Sequence, residues 1–303
     1  MGNSLFPVAS PGECGVDNPL NQPQLDIPSL LKRHGLQPDK RLGQNFLIDP
    51  TYLNRVVEAG NIKQKDIVLE IGAGLGNLTR LISLQAKEVI AVELDADLVP
   101  ILEDVTNTYA NIQIIHGDIL KIDLADLILA SGYLVVANIP YYMTSNLIRH
   151  LVNAKIRPAR MVLTVQREVA ERICALPGKL SLLGLSVQVF GHPEIIARVP
   201  AGAFYPPPKV DSAIVRIQLY SSPVIPDLQL NTFFQIARAG FSQKRKTLRN
   251  SLSAGLQEEK TTIEKLLGDA GIDAKRRAET LSLDEWKSLT VCYADLSSPH
   301  QPG

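Results

Sequence analysis

The sequence predicts a doubly wound α/β sheet followed by a small all-helical unit. Three observations carry this. Short apolar runs alternate with amphipathic segments from residue 66 to about residue 190, the residues that interrupt the runs are glycines, acids and amides, and beyond residue 228 only helical periods remain.

Residues 1–27 hold Pro7, Pro11, Pro19 and Pro23 among Asn, Gln and Gly without a sustained apolar period, and read as a flexible tail. A short helix is expected over 29–34, before Pro38 and Gly43 break the chain. Asp49-Pro50 has the form of a helix start for 51–59, and the amide-rich stretch just before it reads, by itself, as a loop. Residues 66–71 form an apolar run suited to a strand buried on both faces; it stops at Gly72, Gly74 and Gly76, and a helical pattern resumes at Leu78, Leu81 and Ile82. Further strands are expected at 88–92, 112–115, 133–137 and 161–165, with helices at 98–106, 167–175 and 180–190. Residues 195–199 and 213–219 read as an antiparallel hairpin at the sheet edge. Between them, Phe204-Tyr205-Pro206-Pro207-Pro208-Lys209-Val210 reads as a rigid, exposed loop, because prolines in a row exclude regular structure. With 221–226 as a linker, the expected organisation is a sheet domain over 28–222, a helical domain over 228–296 and a C-terminal tail over 297–303.

Composition narrows the function classes. A chain of 303 residues with 45% hydrophobic content can bury a sizeable core. Its formal net charge of zero gives no general pull towards nucleic acid, so any such partner must be met by local clusters. Cys14, Cys174 and Cys292 lie far apart without CxxC spacing, which argues against a disulfide framework or a zinc site and for no resident metal. No apolar run approaches the roughly 18 residues of a membrane span, and the start lacks the pattern of a signal peptide; a cytoplasmic protein without a membrane partner is the expectation.

The glycine turn has two candidate ligands. A dinucleotide site requires G-x-G-x-x-G, whereas here Asn77 stands where the third glycine would be. Glu70 precedes the turn and no Lys or Arg occurs between Asp66 and Thr79, which suits a cation better than a pyrophosphate; S-adenosylmethionine carries a sulfonium and no phosphate. Glu93 at the second strand end suits ribose hydroxyls and Asp118 at the third suits an adenine amine, although an acid after the second strand also serves dinucleotides. Asn138-Ile139-Pro140-Tyr141 separates the readings. An exocyclic adenine amine is a poor nucleophile, since its lone pair is delocalised into the ring. An amide oxygen and a neighbouring carbonyl can accept hydrogen bonds from it and aim it, Pro140 stiffens the turn, and Tyr141 offers a stacking face.

Six motifs then carry a resemblance: Leu42-Gly43-Gln44-Asn45-Phe46-Leu47, the run from Glu70 through Gly76, Asn138-Ile139-Pro140-Tyr141, the run from Phe204 through Pro206-Pro207-Pro208-Lys209-Val210-Asp211-Ser212-Ala213, residues 241–250, and Arg276-Arg277-Ala278-Glu279-Thr280-Leu281. From about residue 30 to about residue 295 the chain resembles the bacterial 16S rRNA adenine N6,N6-dimethyltransferases. The resemblance implies a class I, Rossmann-like methyltransferase with a seven-stranded, mostly parallel sheet, S-adenosyl-L-methionine as cofactor, and dimethylation of two adjacent adenosines in the 3′-terminal hairpin loop of 16S rRNA in the immature 30S subunit; a monomer is the separate expectation. By position it implies that Asn45, Leu47, Gly72, Gly74, Glu93, Asp118, Ile119 and Asn138 bind the cofactor, and that Asn138, Pro140, Tyr141 and Phe204 serve the target base, with Tyr141 and Phe204 on either side of it. Ile139 is shared with the related 23S rRNA methyltransferases of the macrolide-resistance type, whereas the helical-domain motifs fit the small-subunit enzymes.

Basic residues supply the expected RNA contacts. Lys244, Arg245, Lys246 and Arg249 are expected on a helix after Phe241, with further groups at Lys275, Arg276 and Arg277 and at Lys32, Arg33, Lys40 and Arg41. A 23S enzyme, a non-catalytic assembly factor and a nicotinamide-dependent oxidoreductase are the rival readings.

Overall fold

The computed structural model describes residues 24–128 and 131–297; residues 1–23 and 298–303 of the two expected tails lie outside the described residues. Strand and helix alternate as β1 (Phe46–Leu47), β2 (Ile67–Ile71), β3 (Glu88–Glu93), β4 (Ile112–His116), β5 (Leu134–Asn138), β6 (Arg160–Gln166), β7 (Gly191–Val199), β8 (Phe204–Tyr205) and β9 (Ser212–Leu219). Among them run α1 (Ile27–Arg33), α2 (Pro50–Gly60), α3 (Asn77–Ser83), α4 (Val99–Thr106), α5 (Leu124–Leu127), α6 (Thr144–Val152), α7 (Arg167–Ile173) and α8 (Leu182–Gln188). The helices α9 (Leu230–Phe241), α10 (Leu248–Leu256), α11 (Lys260–Asp269) and α12 (Leu283–Ser297) follow.

Seven strands form one sheet in the order β4-β3-β2-β5-β6-β9-β7. The first five are parallel and β9 and β7 are antiparallel to their neighbours, so the sheet is the mostly parallel, class I type. The order reverses beside β2, and the crevice at the carboxyl end of β2 and β5 is where an α/β sheet binds its ligand. Runs of Val, Ile, Leu and Ala make β2, β3, β5 and β6 buried on both faces, with helices covering each side.

Local chemistry sets the helix starts. The Asp49 carboxylate accepts the Thr51 N–H at 2.8 Å and Pro50 occupies the first turn, which places the start of α2 directly after the segment 42–48. Asp26 caps α1 in the same way, accepting the Ser29 N–H at 3.1 Å. The helix therefore begins at Ile27, which is buried with Leu30 and Leu31, so the last residue of the expected tail 1–27 is helical.

The largest core cluster runs from the sheet residues Val135 and Leu163 through Phe190 to Phe233, Trp286 and Leu289 of the helical part, so sheet and helices share apolar packing. Ile225 of the segment 221–226 is buried in that cluster. Arg157 fastens the same junction: it donates to the Val152 carbonyl at 2.7 Å and to Asp227 at 2.6 Å, and its guanidinium lies 5.2 Å from the centre of the Phe190 ring.

Two expectations are corrected. The loop 204–210 opens as a strand: β8 pairs antiparallel with β1, with Leu47 opposite Phe204 and Phe46 opposite Tyr205. Phe204 is only 3% exposed, packed in a cluster with Leu47 and Leu53, because pairing with β1 turns its ring inward. Lys244, Arg245 and Lys246 do not lie on a helix. The chain leaves α9 at Phe241, turns with the Lys246 N–H donating to the Gln243 carbonyl at 3.0 Å, and restarts at Leu248, whose N–H donates to the Arg276 carbonyl at 2.6 Å.

Candidate active site

The carboxyl ends of β2, β3 and β5 open into one cavity. Asn45, Leu47, Gly72, Gly74, Glu93, Asp118, Ile119, Asn138, Pro140, Tyr141 and Phe204 all line it, so each residue expected to meet cofactor or target base comes to one place; Lys244, Arg245, Lys246 and Arg249 are elsewhere.

The glycine turn forms the floor. Gly72 has φ +76°, and a Cβ on it would come 3.2 Å from the Asn138 carbonyl; one on Gly74, at φ +58°, would come 3.1 Å from the Phe46 ring. Both positions need glycine for conformation and for space. The Gly74 N–H donates to Glu93 at 2.7 Å and the Asp95 N–H to the other Glu93 oxygen at 2.9 Å, which fixes that buried carboxylate against the turn. Asn77, in the place of a third glycine, donates to the Leu47 carbonyl at 3.0 Å and ties β1 to the start of α3.

Two buried carboxyl groups stand in the floor. Glu70 is 1% exposed, and its Oε2 has no hydrogen-bond partner among the described residues. Burial pushes its carboxyl up to about 8, and burial raises that of Glu93 as well. An orphaned buried carboxyl oxygen lining a cavity fits the cationic end of a ligand, and the absence of basic residues from 67 to 78 leaves nothing there for a pyrophosphate. Among the described residues no group of three or more His, Cys, Asp and Glu side chains is placed to hold a metal ion.

A strap over 39–47 closes one side. The Gln44 amide accepts the Asp39 N–H at 2.7 Å and donates to Asp95 at 2.6 Å. The Asn45 carbonyl accepts from the Asn138 side-chain nitrogen at 3.3 Å. That contact orients the Asn138 amide, since a carbonyl can only accept, and it leaves the Asn138 Oδ1 available as an acceptor. Tyr141 is half-buried, with its hydroxyl 2.6 Å from that of Ser212 at the start of β9. Asp118 accepts the Leu120 N–H at 3.1 Å and stands 3.6 Å from Lys121, holding the turn after β4.

The basic groups differ among themselves. Lys244, Arg245 and Lys246 are exposed in the α9–α10 loop. Arg249 is ion-paired with Glu264, and Arg276 with Glu285; the Arg276 guanidinium also donates to the Thr280 carbonyl at 2.7 Å.

The anchoring roles of Gln44, Asn77 and Ser212 were not expected from the sequence. Glu70, an acid inside an apolar strand directly before a glycine turn, carried its signal in the sequence. None existed for Ser212, whose partner is 71 positions away.

Comparison with known proteins identifies this arrangement. Residues 35–291 match the family model described as ribosomal RNA adenine dimethylase. A protein of Dehalococcoides mccartyi (strain CBDB1) named ribosomal RNA small subunit methyltransferase A is 46% identical over 266 residues, 88% of this chain and 91% of the relative. A protein of the same name from Pelotomaculum thermopropionicum is 41% identical, over 89% of this chain and 96% of the relative. Among solved structures, a dimethyladenosine transferase from Plasmodium falciparum is 27% identical with a TM-score of 0.72, covering 82% of this chain and 98% of that one. The 23S rRNA methyltransferase ErmE is 25% identical with a TM-score of 0.67, covering 82% and 99%. The chain belongs to the ribosomal RNA adenine dimethylase family.

Proposed function

We propose that this chain, an rRNA adenine dimethylase that uses S-adenosylmethionine, dimethylates the N6 amines of two adjacent adenosines in the 3′-terminal hairpin loop of 16S rRNA, in the immature 30S subunit, as a cytoplasmic monomer. The observation that carries the catalytic reading is the Asn138 amide, held through its nitrogen by the Asn45 carbonyl and left with a free acceptor oxygen in the same cavity as the acidic glycine turn. The names of the 41–46% identical relatives support the small subunit over the 23S alternative.

When bound, S-adenosylmethionine supplies a methyl group on a sulfonium that departs as a neutral thioether. Glu70 and Glu93 set two carboxyl groups in the floor, whose charged form a cationic ligand favours, and Gly72 and Gly74 let it approach the main chain, with Asn45, Leu47, Asp118 and Ile119 completing the walls. Asn138 Oδ1 accepts a hydrogen bond from the adenine amine, as does a carbonyl of the Ile139-Pro140 turn, which draws the nitrogen lone pair out of conjugation and aims it. Tyr141 stacks on the extruded base, and Phe204, packed behind on β8, fixes the opposite wall. Orientation of this kind supplies up to roughly 7–11 kcal/mol in well-placed systems, so no strong base is required. A hairpin-loop target suits the site, because extruding an unpaired base costs least.

The test is incubation of labelled S-adenosylmethionine with under-methylated 30S particles, followed by mapping. Label in two neighbouring dimethyladenosines of 16S rRNA is expected; label in 23S rRNA alone, or none in either, overturns the proposal.

A further inference from the structure

We propose that Tyr142 is a base-stacking residue at the rim of the site, holding the nucleotide next to the one being methylated. This rests on the reading of the cavity as an adenosine-methylating site. Tyr141 and Tyr142 are consecutive but face different ways. Tyr141 lines the cavity and is tied to Ser212, whereas Tyr142 does not line it and is 64% exposed. Its backbone is nevertheless fixed. The two tyrosines and Met143 form a single 3-10 turn, closed by the Met143 N–H donating to the Pro140 carbonyl at 3.0 Å and by the Thr144 hydroxyl donating to the Tyr141 carbonyl at 3.1 Å. One edge of the Tyr142 ring backs onto the strap: a Cβ on Gly43 would meet its Cε1 at 3.5 Å, an ordinary contact distance. Two residues further along that strap, the Asn45 carbonyl holds Asn138.

A large aromatic ring left in water, on a turn whose backbone is pinned at both ends, gains nothing from the protein core. It does offer a preorganised π-face that a flexible side chain would not. Every base has a matching face, and stacking of this kind accounts for much of single-strand recognition. With one base extruded into the cavity at Tyr141, the adjoining unpaired base reaches the rim one residue further along the turn. The chemical class recognised is an unpaired nucleotide, its ring read by stacking and not by hydrogen bonds.

The experiment measures methyl transfer by wild type, Tyr142→Ala and Tyr142→Phe on under-methylated particles, with the natural neighbour or an abasic residue beside the target. Tyr142→Ala is expected to raise KM about fivefold or more, Tyr142→Phe to stay near wild type, and S-adenosylmethionine affinity to be unchanged in both. The abasic neighbour is expected to penalise wild type by the same factor and the Ala variant hardly at all. Wild-type activity on 16S rRNA with equal KM in the Ala variant, or an abasic penalty equal in both proteins, overturns this inference alone. A wild-type protein that leaves those adenosines unlabelled overturns the functional reading and this inference with it.

Discussion

The Tyr141 hydroxyl stands 2.6 Å from the Ser212 hydroxyl, joining the turn after β5 to the first residue of β9. Burial raises the pKa of Tyr141, so the phenol stays neutral and the link is an ordinary hydrogen bond. Its net worth is about 0.5–1.5 kcal/mol. Ser212→Ala is expected to lower kcat by a factor of roughly 2 to 12 through a less firmly held ring, with cofactor affinity unchanged. Tyr141→Phe is expected to cost the same, and the double variant no more than either single one. Steady-state kinetics on the three variants checks this; additive losses would show that the two hydroxyls act separately.

Asn138 is expected to affect transfer far more than binding. Asn138→Ala removes the acceptor that aims the amine while leaving the glycine turn, Glu70 and Glu93 in place. Loss of one preorganised polar partner costs on the order of 10²–10³ in kcat. Asn138→Asp is expected to fall as well, because its carboxylate cannot donate to the Asn45 carbonyl that holds the present amide. Single-turnover transfer and calorimetric binding of S-adenosylmethionine separate the two effects; equal loss of both would make Asn138 chiefly a cofactor ligand.

Glu70 makes the site pH-dependent. Its carboxyl is raised to about 8 by burial, with the nearby Glu93 charge adding to the shift. The folded chain therefore binds a proton there that the unfolded chain has released above the ordinary carboxylate range. That stabilising difference is present at low pH and fades as pH rises towards about 8. Glu70→Gln is expected to flatten the fall in Tm between roughly pH 4 and pH 8.5, a range that brackets the unfolded and folded pKa values, leaving the slope due to Glu93. A cationic ligand favours the carboxylate, so cofactor binding near neutral pH is expected to release a proton in wild type and none from this position in the variant. Calorimetry in buffers of different ionisation enthalpy reads the proton directly; identical proton release in both proteins rules Glu70 out.

The sheet was legible in the sequence because parallel strands buried on both faces are continuous apolar runs, and β2, β3, β5 and β6 are such runs. The floor of the site was legible for a related reason: ligands meet strand ends, and Gly72, Glu93, Asp118 and Asn138 stand at four of them. The pairings that close the site were not. The β1–β8 pair joins two two-residue strands more than 150 positions apart, too short for a period and too distant for any local signal. The inward turn of Phe204 and the hydrogen bond from Asn138 to Asn45 both depend on that closure. Helix propensity around Lys244 was outweighed in the same way, by a tertiary bond from Leu248 to Arg276 that fixes where α10 begins.

The basic residues divide into those free to meet phosphate and those already engaged. Arg276 pairs with Glu285 and donates to the Thr280 carbonyl, joining the turn before α12 to that helix, and Arg249 pairs with Glu264 across α10 and α11. Neutralising Arg276 leaves a carboxylate and a carbonyl without their partner, so Arg276→Ala is expected to lower Tm, with a cost of about 1–3 kcal/mol. Its effect on RNA binding, once corrected for the folded fraction, is expected to be small. Lys244, Arg245 and Lys246 are exposed on the loop between α9 and α10, and their combined change to Gln is expected to leave Tm nearly unchanged. Each phosphate that a cation no longer neutralises reduces the slope of log K against log salt by about one. The triple variant is therefore expected to bind pre-ribosomal particles more weakly at low salt and with a slope shallower by about one or more. Binding measured over a salt series, beside thermal melts of both variants, distinguishes the two groups. An unchanged slope in the triple variant would remove the loop from the RNA interface, and a shallower slope in the Arg276 variant would move that interface to the turn before α12.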